Sequence, residues 1–185
     1  MHKFNLAVQK HLDSNSGEKQ AINAVHNLMV ELRTLKNAAR LRKLGVNAAK
    51  LDNDTRWSSI YEMLKRYFEI IDGVENMQIP SVQEKLLTRH EHKTIEGLMI
   101  RLKQMEDVTK ELQREDLTLS EARDLFDGLM DEFPDMEQHL HERASIVVDS
   151  IFESAIVKVL RNQTRMLTPS EKIKLESLKD RKSVV

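Results

Sequence analysis

A chain of 185 residues, 40% hydrophobic and 32% charged with five glycines and three prolines, has the composition of a strongly helical protein, taken here as one elongated domain over 1–185. Its formal net charge of −1 excludes a general attraction to phosphate or anionic lipid, so any such contact must come from local charge. With no cysteine there is no disulfide, thiolate metal site or cysteine nucleophile, and no apolar run reaches the ~18 residues that span a bilayer; the expectation is a soluble intracellular protein.

The apolar residues recur with helical period almost throughout. Ala21, Val25, Leu28, Leu32, Leu35 and Ala39 are spaced 4-3-4-3-4, which predicts one helix over 18–44, ended by Gly45. The only hint of a strand lies at 48–52 and is too short to stand alone. A second helix is predicted from a cap at Asp54, with Trp57, Ile60, Tyr61, Leu64, Phe68 and Ile71 on one face and a stop at Asp72-Gly73. The stretch 74–89, with Pro80, reads as a connection holding one short helix. Ile95, Leu98, Leu102, Met105, Thr109 and Leu112 then mark a long helix ending near Glu115.

Thr118-Leu-Ser-Glu121 is a capping box that starts a helix through Leu125, Phe126, Leu129 and Phe133, stopped by Pro134. A stripe from Val148 to Leu160 follows, capped by Asp149 or Ser150. Thr168-Pro-Ser-Glu171 is a second capping box with proline at the first helical position, leading into Ile173, Leu175 and Leu178; the tail DRKSVV is expected to fray. The fold class is therefore all-α, a bundle of about six helices with at most one very short strand near 48–52.

Two motifs carry a likeness to a known family. MHKFNLAVQKHL, with His2, Asn5 and Leu6, resembles the H-x-x-N-L segment that follows the second catalytic aspartate of hAT-superfamily transposases. Some fifty residues on, DTRWSSIYEMLKRY is similar to that superfamily's T-R-W-x-S-x-x-x-M-L block, with Thr55, Arg56, Trp57, Ser59, Met63 and Leu64 in matching places. The stretches DLTLSEARDLFDGLM and FESAIVKVL add to the likeness. The resemblance implies a segment of ribonuclease-H-like core over 1–52, insertion-domain-like helices over 53–167 and a terminal helix over 168–185. It also implies that the Asp-Asp-Glu carboxylates, which clamp two metals, fall outside this stretch, so a catalytically incomplete, domesticated or decayed transposase fragment is expected.

Trp57 has two readings: a core anchor at the head of an apolar stripe, or the family's platform for an extruded base, with the core reading preferred. The phosphate-binding candidates are Arg33, Lys36, Arg40 and Lys43, spaced 3-4-3 as one ridge of the predicted helix, with Lys50 and Arg56 nearby. A solvated face complementing the helix dipole is the alternative. Residues 106–142 hold thirteen carboxylates against three cations, and a nucleic acid would avoid that region. Within it Asp124, Asp127 and Asp131 share a helical face, read as solvated rather than metal-binding.

The pairs His90/His92 and His139/His141 project to opposite sides of a helix and read as exposed polar residues. No nucleophile elbow, phosphate-cradling glycine loop or H-E-x-x-H motif occurs, so no catalytic residues, metal or cofactor are expected. The functional expectation is a nuclear protein that binds DNA through the ridge at Arg33, Lys36, Arg40, Lys43, Lys50, Arg56 and Trp57. The alternative is a regulatory module that pairs with a protein, or with itself, through its helical faces. Neither a membrane nor a small-molecule substrate is implied.

Overall fold

The computed structural model describes residues 2–53, 56–144 and 147–179, with backbone alone for 2, 3 and 177–179. Among them are ten α-helices and no strand: α1 (His2–Ser14), α2 (Ser16–Leu32), α3 (Leu35–Lys43), α4 (Trp57–Glu75), α5 (Pro80–Gln83), α6 (Arg89–Glu111), α7 (Leu119–Glu132), α8 (Glu137–Leu140), α9 (Ser150–Leu160) and α10 (Pro169–Lys179). The all-helical class is as expected, with more and shorter helices than six. The residues at 48–52 form no strand. The expected cap at Asp54, Thr55 and Met1 of the motifs, the His2 side chain and the tail DRKSVV lie outside the described residues.

The chain forms two compact units. One is continuous, Val8–Lys110, and the other joins Met1–Ala7 to Glu111–Val185.

In the continuous unit, Ala21, Val25, Leu28, Met29 and Leu32 of α2 are buried, as the periodicity predicts. The predicted 18–44 helix breaks, however. α2 ends at Leu32, Thr34 turns out of the helical region (φ −57°, ψ 145°), and α3 begins at Leu35. The break is held by the Glu31 carbonyl, which accepts from the Thr34 hydroxyl (2.9 Å) and from the side-chain amide of buried Asn37 (3.0 Å). Asn37 also donates to the Glu31 carboxylate (2.9 Å), itself bound by Ser81 (2.7 Å). The turn re-registers the chain: Asn37 and Leu41 face inward on α3, while Leu35, predicted as core, is 86% exposed and Ala39 is exposed with it.

α4 buries Trp57, Ile60, Met63, Leu64, Tyr67, Ile70, Ile71 and Val74, so its inner face takes in Met63 and Tyr67 while Tyr61 and Phe68 are half-buried. The stop expected at Asp72-Gly73 does not occur. Gly73 lies within α4, where a Cβ would come 2.6 Å from Val46 Cγ2, so any larger residue would push the Val46 side chain, on the connection after α3, out of its place. The short helix expected between 74 and 89 is α5, and Ile95, Leu98, Leu102 and Met105 of α6 are fully buried as expected. Glu18 of α2 and Arg101 of α6 pair at 2.6 Å, with the Glu18 side chain nearly buried.

In the second unit the capping box at Thr118 and Glu121 is present, and Glu121 N–H donates to Thr118 Oγ1 at 3.2 Å. α7 ends before Pro134 as predicted. Asp149 caps α9 by accepting from Phe152 N–H (3.0 Å). Of the stripe expected from Val148 to Leu160, only Ala155 is fully buried, with Phe152, Ile156 and Leu160 half-buried; Val148 precedes the helix, Ile151 and Val159 face solvent, and Val157, which the stripe did not include, is buried instead. The box at Thr168 and Glu171 forms, Thr168 N–H donating to Glu171 Oε2 at 2.7 Å, but Ile173 is exposed rather than packed. Glu171 turns inward instead, to Ser154 (2.9 Å) and Lys158 (2.7 Å) of α9.

Candidate nucleic-acid interface

The ridge residues do not share one helix. Lys36, Arg40 and Lys43 stand on α3 at 4-3 spacing, whereas Arg33 caps the C-terminus of α2 and Arg56 occupies the cap position of α4. All five are exposed, and none has an ion-pair partner among the described residues. Arg42 is exposed as well, its Nε only 3.4 Å from the Ala38 carbonyl, and belongs to the same surface. Lys50 differs: its ammonium sits 3.0 Å from Glu62, whose carboxyl it holds below the usual range. An exposed pair of this kind contributes only ~0–1 kcal/mol, so an external anion could displace it, but Lys50 is the least available of the set.

Trp57 is 2% exposed, so its indole offers no free face to a base. The rest of the T-R-W-x-S-x-x-x-M-L segment explains its own pattern locally. Met63 and Leu64 are buried beside it in α4, and Ser59 Oγ accepts from Asn53 N–H (2.9 Å) and donates to the Arg56 carbonyl (2.7 Å), fixing the chain where the helix starts. Arg56 alone among its described members points its charge outward. The connection carrying Lys50 is further tied by Arg66 to the Ala48 carbonyl (2.6 Å) and by His26 to Asp52 (2.5 Å).

The other candidates resolve differently from their sequence patterns. His92 is not a free surface group: its Nδ1 is 2.7 Å from the Tyr67 hydroxyl, and its ring packs edge-on to Phe68. Burial, with the charges of Glu75, Glu91 and Glu96, pushes the Tyr67 phenol well above its usual range, so Tyr67 is neutral in that bond. A cleft of about 310 Å³ adjoins the pair, with Ile71, Leu86 and Leu87 on its apolar side.

On α7, Asp124 and Asp131 are exposed, but Asp127 bridges Arg123 and Arg161, with Arg161 at 2.7 Å. Burial works against the Asp127 charge, and the hydrogen bonds from the two guanidiniums outweigh it and hold the carboxyl below the usual range. Sequence spacing shows the Arg123–Asp127 pair at i, i+4 and cannot show Arg161, 34 residues away. A cavity of about 170 Å³ nearby, between Phe4, Phe126, Leu140, Ile156 and Leu160, is smaller than the ~300 Å³ at which small-molecule sites begin. No group of three or more metal-ligating side chains occurs among the described residues.

Comparison with protein-family models, with curated proteins and with solved structures finds no match to this chain. The likeness to hAT transposases therefore stands on the sequence motifs alone.

Proposed function

We propose that the chain binds nucleic acid through the cations of α3 together with Arg33 and Arg56, and that it is a transposase-derived module of the hAT type acting in the nucleus without strand chemistry of its own. The observation that carries this reading is the state of the charges on α3. Lys36, Arg40, Arg42 and Lys43 stand exposed without a carboxylate partner among the described residues, whereas Arg66, Arg101, Arg123, Lys158 and Arg161 are all paired. Cations held this way release condensed counterions from a nucleic acid at no cost in internal pairs. With Trp57 in the core, the contact is to phosphate rather than to an extruded base.

Titrating the protein against labelled DNA at rising salt tests the reading. Three to four phosphate contacts give a slope of log affinity against log salt of roughly −3 to −4 on duplex. Absence of binding at low salt would favour the alternative, a helical module that recruits a basic protein partner through the exposed carboxylates around Asp124 and Asp131.

A further inference from the structure

Only Asn37 and Leu41 of α3 are buried, with Ala38 half-buried; the rest of its circumference faces solvent. At ~100° per residue, the point opposite Asn37 and Leu41 is Ala39. On one side of Ala39 lie Leu35 and Arg42, and on the other Lys43, Lys36 and Arg40. The outward face thus has a small apolar crest, Leu35 and Ala39, with cations on both flanks. A single ridge of charge would suit any polyanion, but cations on two flanks of a crest suit a ligand with two phosphate walls. Ala39 at the outermost point also lets the helix backbone come close.

We propose that α3 seats in the major groove of duplex DNA, with Leu35 and Ala39 against base edges and the flanking cations on the two phosphate walls. The proposal rests on the nucleic-acid reading above and adds the form of the ligand and the groove. The major groove, ~12 Å wide, admits a helix, and a nine-residue helix is ~13–14 Å long, enough to follow the groove for a few base pairs. The crest carries no amide or guanidinium to read donor and acceptor patterns. Its apolar side chains meet one base-specific feature of the groove, the thymine methyl group. A single strand would call for aromatic platforms, and no residue of α3 is aromatic.

The test uses the full chain and an A·T-rich duplex, the same duplex with uracil in place of thymine, and the thymine-containing single strand, at one salt concentration. The duplex should bind roughly tenfold more tightly than the single strand, because two phosphate walls replace one. Uracil substitution should weaken duplex binding by roughly fourfold for each contacted methyl, with the salt slope unchanged. Leu35→Asn, at a position too exposed to affect folding, should remove most of the thymine–uracil difference at an unchanged melting temperature. Equal binding of the thymine and uracil duplexes, or of duplex and single strand, with salt-sensitive affinity intact, would overturn the groove seating and leave phosphate contact standing. No binding to any of the three DNAs at low salt would overturn both.

Discussion

The basic helix α3 and the charged side chains of the unit formed by Met1–Ala7 and Glu111–Val185 treat the same residue types in opposite ways. In that unit Arg123 and Arg161 share Asp127, and Arg123 also donates to the Leu140 carbonyl at 3.1 Å. Lys158 grips both oxygens of Glu171, at 2.7 and 2.8 Å. These charges fasten one helix to another, and removing one partner strands the other in a poorly solvated place. On α3 the cations meet no carboxylate among the described residues, and what they add to the fold is a small complement to the dipole at its C-terminal end. A cation that holds no internal partner is free to meet an external one, and that contrast separates structural charge from interface charge in a chain whose net charge is close to zero.

The largest effect should come from Trp57, the one member of the candidate interface that is buried. Trp57→Ala should destabilise the continuous unit by ~3–5 kcal/mol through lost burial and the cavity left behind. Emission of the wild-type tryptophan should be blue-shifted and resistant to quenchers, and a red-shifted, readily quenched emission would return Trp57 to the surface.

Next in size is the Asp127 bridge. Asp127→Ala leaves the Arg123 guanidinium, with only 12% of its side chain exposed, without a carboxylate and beside only the Leu140 carbonyl, the Met130 sulfur and the Phe126 ring, and should cost about 3 kcal/mol in denaturant unfolding. Destabilisation no greater than for an exposed surface pair would erase the distinction drawn between the two regions.

Acid sharpens the same contrast. Hydrogen bonds from Lys158 and from Thr168 N–H hold the Glu171 carboxyl at about 2, below its ordinary 4.5. Because the folded state binds this proton less readily than the unfolded one, the contribution of Glu171 is complete above about 4.5 and is lost as pH falls towards 2. The melting temperature should fall across that window, and Glu171→Gln, already destabilised at neutral pH, should show a shallower fall. An unaltered acid profile in the variant would mean that the Lys158 pair contributes nothing.

The smallest effect on stability belongs to α3. Arg40→Glu with Lys43→Glu should lower unfolding free energy by only ~1 kcal/mol, the share these two exposed cations have in complementing the C-terminal dipole of α3. A larger loss in thermal denaturation would reveal an internal role for these cations.

Local rules in the sequence foretold the parts of this fold that local physics decides. Thr118, Asp149 and Thr168 cap where their spacing predicts, Pro134 follows the end of α7, and Trp57 heads a buried face. The break after Leu32 was not legible, because the apolar spacing runs unbroken through Leu35 and Ala39 and no glycine or proline marks the turn. Its cause is Asn37 folding back on Glu31, with Ser81 reaching the same carboxylate from fifty residues away. Gly73 misled for a related reason: its role is set by Val46, distant in sequence, rather than by a turn. At the candidate interface the residue types were legible, but their arrangement was not. The same break takes Arg33 off the helix and brings Leu35, Ala39 and Arg42 to its outer face.

The most direct test of the central claim is the salt dependence of DNA binding by the wild-type chain and by the Arg40→Glu, Lys43→Glu double variant. The account predicts weaker binding by the variant on every sequence tried, with the slope of log affinity against log salt flattened by roughly two ions and the fold unchanged. Equal affinity and equal slope for the two proteins would contradict it and reduce α3 to a solvated face.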